Sequence, residues 1–114
     1  MSGYITNKYV ENNELKIISL DSDVEELIMN SINKTETGSY LSLEPNKAQI
    51  ILNNTLKSVQ KLTSIGEQPI ILTAPIVRLY FKRLTEQVTR DLIVLSYNEI
   101  EPSVEIQSLG MVNI

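Results

Sequence analysis

Leu92-Ile93-Val94-Leu95 sets four aliphatic side chains in succession and then runs directly into Ser96-Tyr97-Asn98-Glu99 before returning to Ile100. An apolar run with no polar interruption leaves neither face for water, so this stretch reads as a buried strand. The turn-forming residues behind it stop the strand abruptly and display a polar corner. Leu15–Leu20, interrupted by Lys16 and Ser19, reads as a mostly buried strand, and Pro69–Thr73 as a short apolar one. A chain with several such strands must cover them, and the segments between supply the cover.

Asp21-Ser22-Asp23-Val24-Glu25 opens the first helix, with Ser22 and Glu25 in capping-box spacing and carboxylates at the positive end of the dipole. Val24, Leu27, Ile28 and Ile32 form its apolar stripe. Residues 33–38 read as a polar loop. Ser39–Leu43 alternates, which implies one wet face and an edge position. Pro45 starts a second helix striped by Ala48, Ile51, Leu52, Thr55, Leu56, Val59 and Leu62, and Gly66 stops it. Ala74-Pro75 starts a third, with Val77, Tyr80, Phe81, Leu84 and Val88 facing inward. Val104–Leu109 is the last strand. Near the start, Tyr4–Val10 reads either as a pairing strand or, through Ile5, Lys8 and Tyr9, as a helix end, and Glu11–Glu14 as a turn, since Asn tolerates the positive φ of a tight hairpin.

The alternation favours an α/β fold: a mixed sheet with a mostly parallel core and three helices. The connection after Leu95 is too short for a crossover helix, which predicts an antiparallel C-terminal strand. At 114 residues, the expectation is a single α/β domain over 1–114.

The composition narrows function mainly by exclusion. There is no His and no Cys, so no Ser-His-Asp triad, cysteine nucleophile or usual zinc site is expected. The four glycines are far apart and make no phosphate loop. A net charge of −4, one Phe and no Trp argue against nucleic-acid binding. No apolar run approaches the roughly 20 residues that cross a bilayer, and the first residues lack the regions of a signal peptide. The residues by themselves point to a soluble α/β domain with no enzymatic activity and no cofactor.

Some residues admit a functional and a plain reading. Asp21 and Asp23 could hold magnesium, but their place at a helix start favours a cap. Arg78, Lys82 and Arg83 form a basic face on the third helix, suited to an acidic partner or to solvent. Tyr97 either contacts a partner or pins its loop to the sheet. Ser96 could be a phosphoacceptor, which would make the chain a small α/β phospho-signalling domain, or a hydroxyl satisfying a turn. The candidate protein-interaction residues are therefore Arg78, Lys82, Arg83 and Tyr97.

Asp91-Leu92-Ile93-Val94-Leu95-Ser96-Tyr97-Asn98-Glu99-Ile100, followed by Val104-Glu105-Ile106 and Gly110, resembles the C-terminal end of the FlhA family of flagellar and type III secretion export-gate proteins. Leu15–Asp21 with Glu25, Gly38–Pro45, Pro69–Leu72 and the helix from Pro75 agree in order and spacing, although Ser22 stands where the family often has Pro. The resemblance implies the last cytoplasmic subdomain of a larger membrane protein, and so a piece of a longer chain, with Met1-Ser2-Gly3 as an added remnant. It implies a non-catalytic role in a cytoplasmic ring at the inner membrane, soluble in isolation. The implied partners are other subdomains and subunits of the gate and export chaperone–substrate complexes, with membrane contact only through parts outside this chain. The Leu-Ser-Tyr-Asn-Glu-Ile wording leans flagellar rather than injectisome. The isolated chain is expected to be monomeric.

Overall fold

The computed structural model describes residues 9–114. The elements run β1 (Glu14–Leu20), α1 (Ser22–Asn30), β2 (Ile32–Thr35), β3 (Gly38–Leu41), α2 (Pro45–Ser64), β4 (Ile70–Thr73), α3 (Pro75–Thr85), β5 (Ile93–Ser96), a 3-10 turn (Tyr97–Glu99) and β6 (Glu105–Val112). The main sheet has the order β5-β4-β1-β6. The three helices and the parallel core agree with the sequence.

The aliphatic run of β5 is divided between two cores. Leu92 and Val94 join Ile18, Leu20, Ile71 and Phe81 in one buried cluster with side chains of all three helices. Leu95 packs on the opposite face with Leu15, Ile17, Ile70, Leu72 and Ile100, and Ile93 flanks that second cluster. Burial on both sides of the sheet is what removes polar residues from these strands.

The direction of the last strand is corrected. β6 runs parallel to β1, pairing Glu14 with Glu105 and Leu20 with Val112. The expectation of an antiparallel strand assumed that only a helix could carry a crossover. Instead residues 97–104 cross the second face of the sheet as irregular chain, with Ile100 buried and Val104 packed beneath the strands. Three strand spacings of about 4.8 Å and a four-residue strand of about 13 Å lie within the reach of that connection, about 27 Å when extended. The antiparallel pair of this fold is the β2–β3 hairpin, which forms its own sheet. Ser39–Leu41 therefore lies in that hairpin and not at an edge of the main sheet, and residues 33–38 are mostly strand and turn. Val88 is exposed rather than inward, because α3 ends at Thr85 and the chain turns there.

Three local devices match their sequence signals. Asn12 and Asn13 take φ of 54° and 63° between reciprocal bonds of Glu11 and Glu14 at 2.9–3.0 Å. The proposed strand Tyr4–Val10 falls mostly outside the described residues. Gly66, at φ 81°, ends α2 in a Schellman arrangement, with Glu67 N donating to Leu62 O at 3.0 Å and Gly66 N to Thr63 O at 3.1 Å. Pro45 and Pro75 occupy first-turn positions of α2 and α3.

Candidate functional site

α3 lies beside β5, which forms one edge of the sheet. Because Ile93 N donates to Pro69 O, the carbonyls of Leu92 and Val94 point away from β4, toward the open edge. Lys82 Nζ donates to Leu92 O at 2.9 Å and Arg78 Nε donates to Val94 O at 3.2 Å. The match is geometric. Four helical residues rise about 6 Å, close to the roughly 6.6 Å between alternate strand residues. Two of the three cations of the basic face are thus occupied in closing a sheet edge.

The corner after β5 is a small polar network. Glu99 Oε1 accepts from Ser96 N at 2.9 Å and from Ser96 Oγ at 3.0 Å, and it forms an ion pair with Arg78, whose Nε lies 2.8 Å away. Ser96 Oγ also lies against Asn98 Oδ1, so its one hydrogen is shared between the two acceptors. Ser96 and Glu99 form a capping box around the 3-10 turn. Ser96 is buried with its hydroxyl engaged, which speaks against a phosphoacceptor and for the turn hydroxyl. Glu99 was absent from the sequence candidates, although Ser-x-x-Glu is a visible signal.

Tyr97, beside this network, is 47% exposed. Its phenol is held above its ordinary pKa, first by partial burial and second by the negative charge of Glu25. Glu25 in turn accepts from Ala74 N at 2.6 Å and so places a carboxylate at the N-terminal end of α3, where Ala74 offers no capping side chain. It does not form the expected box with Ser22. The N-cap of α1 is Asp21, one residue earlier, whose Oδ1 accepts from Asp23 N at 3.4 Å. Asp21 is thereby a cap, and no group of three or more acidic, His or Cys residues suited to a metal occurs among the described residues.

Arg83 points elsewhere. It lines a groove of about 480 Å³ between the hairpin, the start of α2 and the end of α3. Ala48, Leu52 and Leu84 are apolar parts of its lining, with Leu41 and Leu43 from the hairpin side. The hairpin is tied to α3 by a 2.6 Å hydrogen bond between Ser39 Oγ and Tyr80 Oη. The basic face therefore separates into two structural cations and one that borders a groove. No single site gathers Arg78, Lys82, Arg83 and Tyr97.

Among the described residues, no helix is long and apolar enough to cross a membrane. The sequence profile of the FHIPEP family matches residues 1–105. The chain is 42% identical over 111 residues to flagellar biosynthesis protein FlhA of Bacillus subtilis, covering 96% of this chain and 16% of that protein. It is similar to a solved chain from the Chlamydia pneumoniae CdsV and CdsO protein complex, with a TM-score of 0.83 and 34% identity over 93% of this chain and 32% of that one. A third likeness is to the nonameric EscV cytosolic domain from the type III secretion system, with a TM-score of 0.66 and 31% identity, covering 96% of this chain and 31% of that one. The chain thus spans about a sixth of the flagellar relative and about a third of each solved chain.

Proposed function

Since the chain belongs to the FHIPEP family, we propose that it is a non-catalytic interaction and assembly module on the cytoplasmic side of a type III protein export gate. In this reading, residues 1–114 form one folding unit of a longer membrane protein and contribute to its cytoplasmic ring. The observation that carries it is the match of nearly the whole chain to part of a cytosolic domain solved as a nonamer. The make-up of the domain is consistent with such work: two cores stiffen the sheet, and the conspicuous polar groups are taken up in capping and edge closure.

Docking of export chaperone–substrate complexes belongs to the same proposal, with Arg83 and Tyr97 as the exposed members of the original contact set. Arg78 and Lys82 take part in it through the shape of the edge that they hold. The greater identity to the flagellar relative supports a flagellar gate.

The test is genetic and biochemical. In the full-length gene of the source bacterium, the codons for residues 14–112 are removed, and export of flagellar filament protein is measured alongside the amount of gate protein in the membrane. Loss of export with the remaining protein still in the membrane supports the proposal. Undiminished export overturns it.

A further inference from the structure

The groove bordered by Arg83 is unusual for this chain in its charge. The sequence carries 14 acidic and 10 basic side chains, yet no carboxylate lines the groove and its one charged group is a guanidinium. Neither ion pair found among the described residues includes Arg83.

The groove also does not stand alone. Tyr80 lines it on one side and on the other lines a second hollow of about 560 Å³. That hollow is walled by Met29, Ile32 and Ile76, again holds one cation, Lys34, and again has no carboxylate. Ile76 is 63% exposed and Tyr40, at the rim of the first groove, 53%. The two hollows share one tyrosine and form an apolar strip with a cation at each.

A strip of this kind selects its occupant by chemistry. Apolar side chains gain by leaving water, and exposed tyrosines provide contact area at small entropic cost. A carboxylate beside Arg83 gains a partner with which a lysine or glutamine cannot compete. An elongated strip with two cations suits a peptide segment better than a compact small molecule, because a segment can lay one face along it and place carboxylates at intervals.

We propose that this strip is a docking site for an amphipathic segment of a partner protein whose apolar face also carries glutamate or aspartate, with one carboxylate seated on Arg83. The inference stands on the charge and shape of the strip and does not require the export-gate reading.

The probe is a helix-forming 14-residue peptide with leucines at i, i+3 and i+4 spacing interspersed with glutamates, and a twin with every glutamate replaced by glutamine. Each is titrated into the ¹⁵N-labelled 114-residue chain and followed by amide chemical shifts. The glutamate peptide is expected to give saturable shifts centred on Leu41, Ala48, Leu84 and Gln87. The glutamine twin should bind at least about 3-fold more weakly, the scale of one partly exposed charge pair. Arg83→Gln, at an exposed position, should narrow the difference between the two peptides, and Arg83→Gln with Lys34→Gln should bring them to equal affinity, while the unliganded spectrum keeps its dispersion. Ala48→Gln, which fills the floor, should weaken both. Equal binding of the two peptides to the unaltered chain, shifts centred away from the strip, indifference to Arg83→Gln, or no shifts up to about 1 mM peptide overturns the proposal.

Discussion

Arg78 Nε lies 2.8 Å from Glu99 Oε1 and 3.2 Å from Val94 O, so one guanidinium nitrogen ties α3 both to the edge of β5 and to the corner that ends it. The two side chains are 41% and 21% exposed, and solvent therefore screens part of the charge attraction. Arg78→Met should cost about 1 kcal/mol, mostly through the lost hydrogen bond to Val94 O. Glu99→Ala should cost more, about 1–2 kcal/mol, because the N–H of Ser96 and its buried hydroxyl lose an acceptor at the same time. Urea unfolding of the two single variants and the double variant gives the coupling, expected at about 0.5–1 kcal/mol. A coupling of zero would show that the pair is only a close approach.

Lys82 continues what Arg78 begins. With Leu92 O and Val94 O both occupied, and Ser96 N turned into the corner, β5 offers little to a foreign strand. The isolated chain is accordingly expected to sediment as a monomer. Replacing Arg78 and Lys82 together by Met frees two carbonyls on an otherwise apolar strand. That variant should self-associate with rising concentration in sedimentation velocity, while the Arg83→Gln chain stays monomeric. A double variant that remains monomeric would assign the protection of this edge to some other feature.

The connection from β5 to β6 depends on Ile100. It is buried against Leu15, Ile17, Ile70, Leu72 and Leu95, and it anchors irregular chain over a whole face of the sheet. Ile100→Ala should destabilise the chain by about 2–4 kcal/mol, as a lost buried aliphatic group usually does. Because β6 pairs with β1 only after this crossing, amide exchange should also quicken in β6 relative to β4. Exchange that rises uniformly through the chain would mean that the crossing and the sheet open as one unit.

How far the sequence could be read follows from these same elements. Leu92–Leu95 was legible because burial on both faces leaves a local mark, an unbroken apolar run, and Leu15–Leu20 because its run is broken only by Lys16 and Ser19. Gly66 and the Asn12-Asn13 turn were legible because their backbone conformations restrict residue type. The direction of β6 left no such mark, since it depends on where a polar loop crosses and on one isoleucine within it. The hairpin was half legible: Ser39–Leu43 alternates, but Asn33-Lys34-Thr35 has no apolar face of its own and takes its strand geometry from pairing with β3. At the site, the sequence marked Arg78, Lys82 and Arg83 as one face because they are close in the chain. Their separate roles come from backbone carbonyls at residues 92 and 94 and from a hairpin some 40 residues earlier (Arg83 to Tyr40 is 43 positions). No spacing rule within one helix contains that information.

Tyr97 offers a test by pH. Partial burial and, second, the charge of Glu25 raise its phenol above the ordinary value near 10. The neutral phenol is therefore favoured in the folded state more than in the unfolded one. The sign follows: this contribution is fully present below the unfolded pKa, and it is lost as pH climbs through the raised folded value. Absorbance at 295 nm should then show a component that ionises above the ordinary phenol value, and that component belongs to Tyr97. Tyr97→Phe should remove that late component and flatten the decline in stability above about pH 10. Glu25→Gln should lower the phenol's pKa by removing the smaller of the two causes, with the larger left in place. A Tyr97 that ionises at the ordinary phenol value in the unaltered chain would mean that its ring stands free in solvent and that the corner does not hold it.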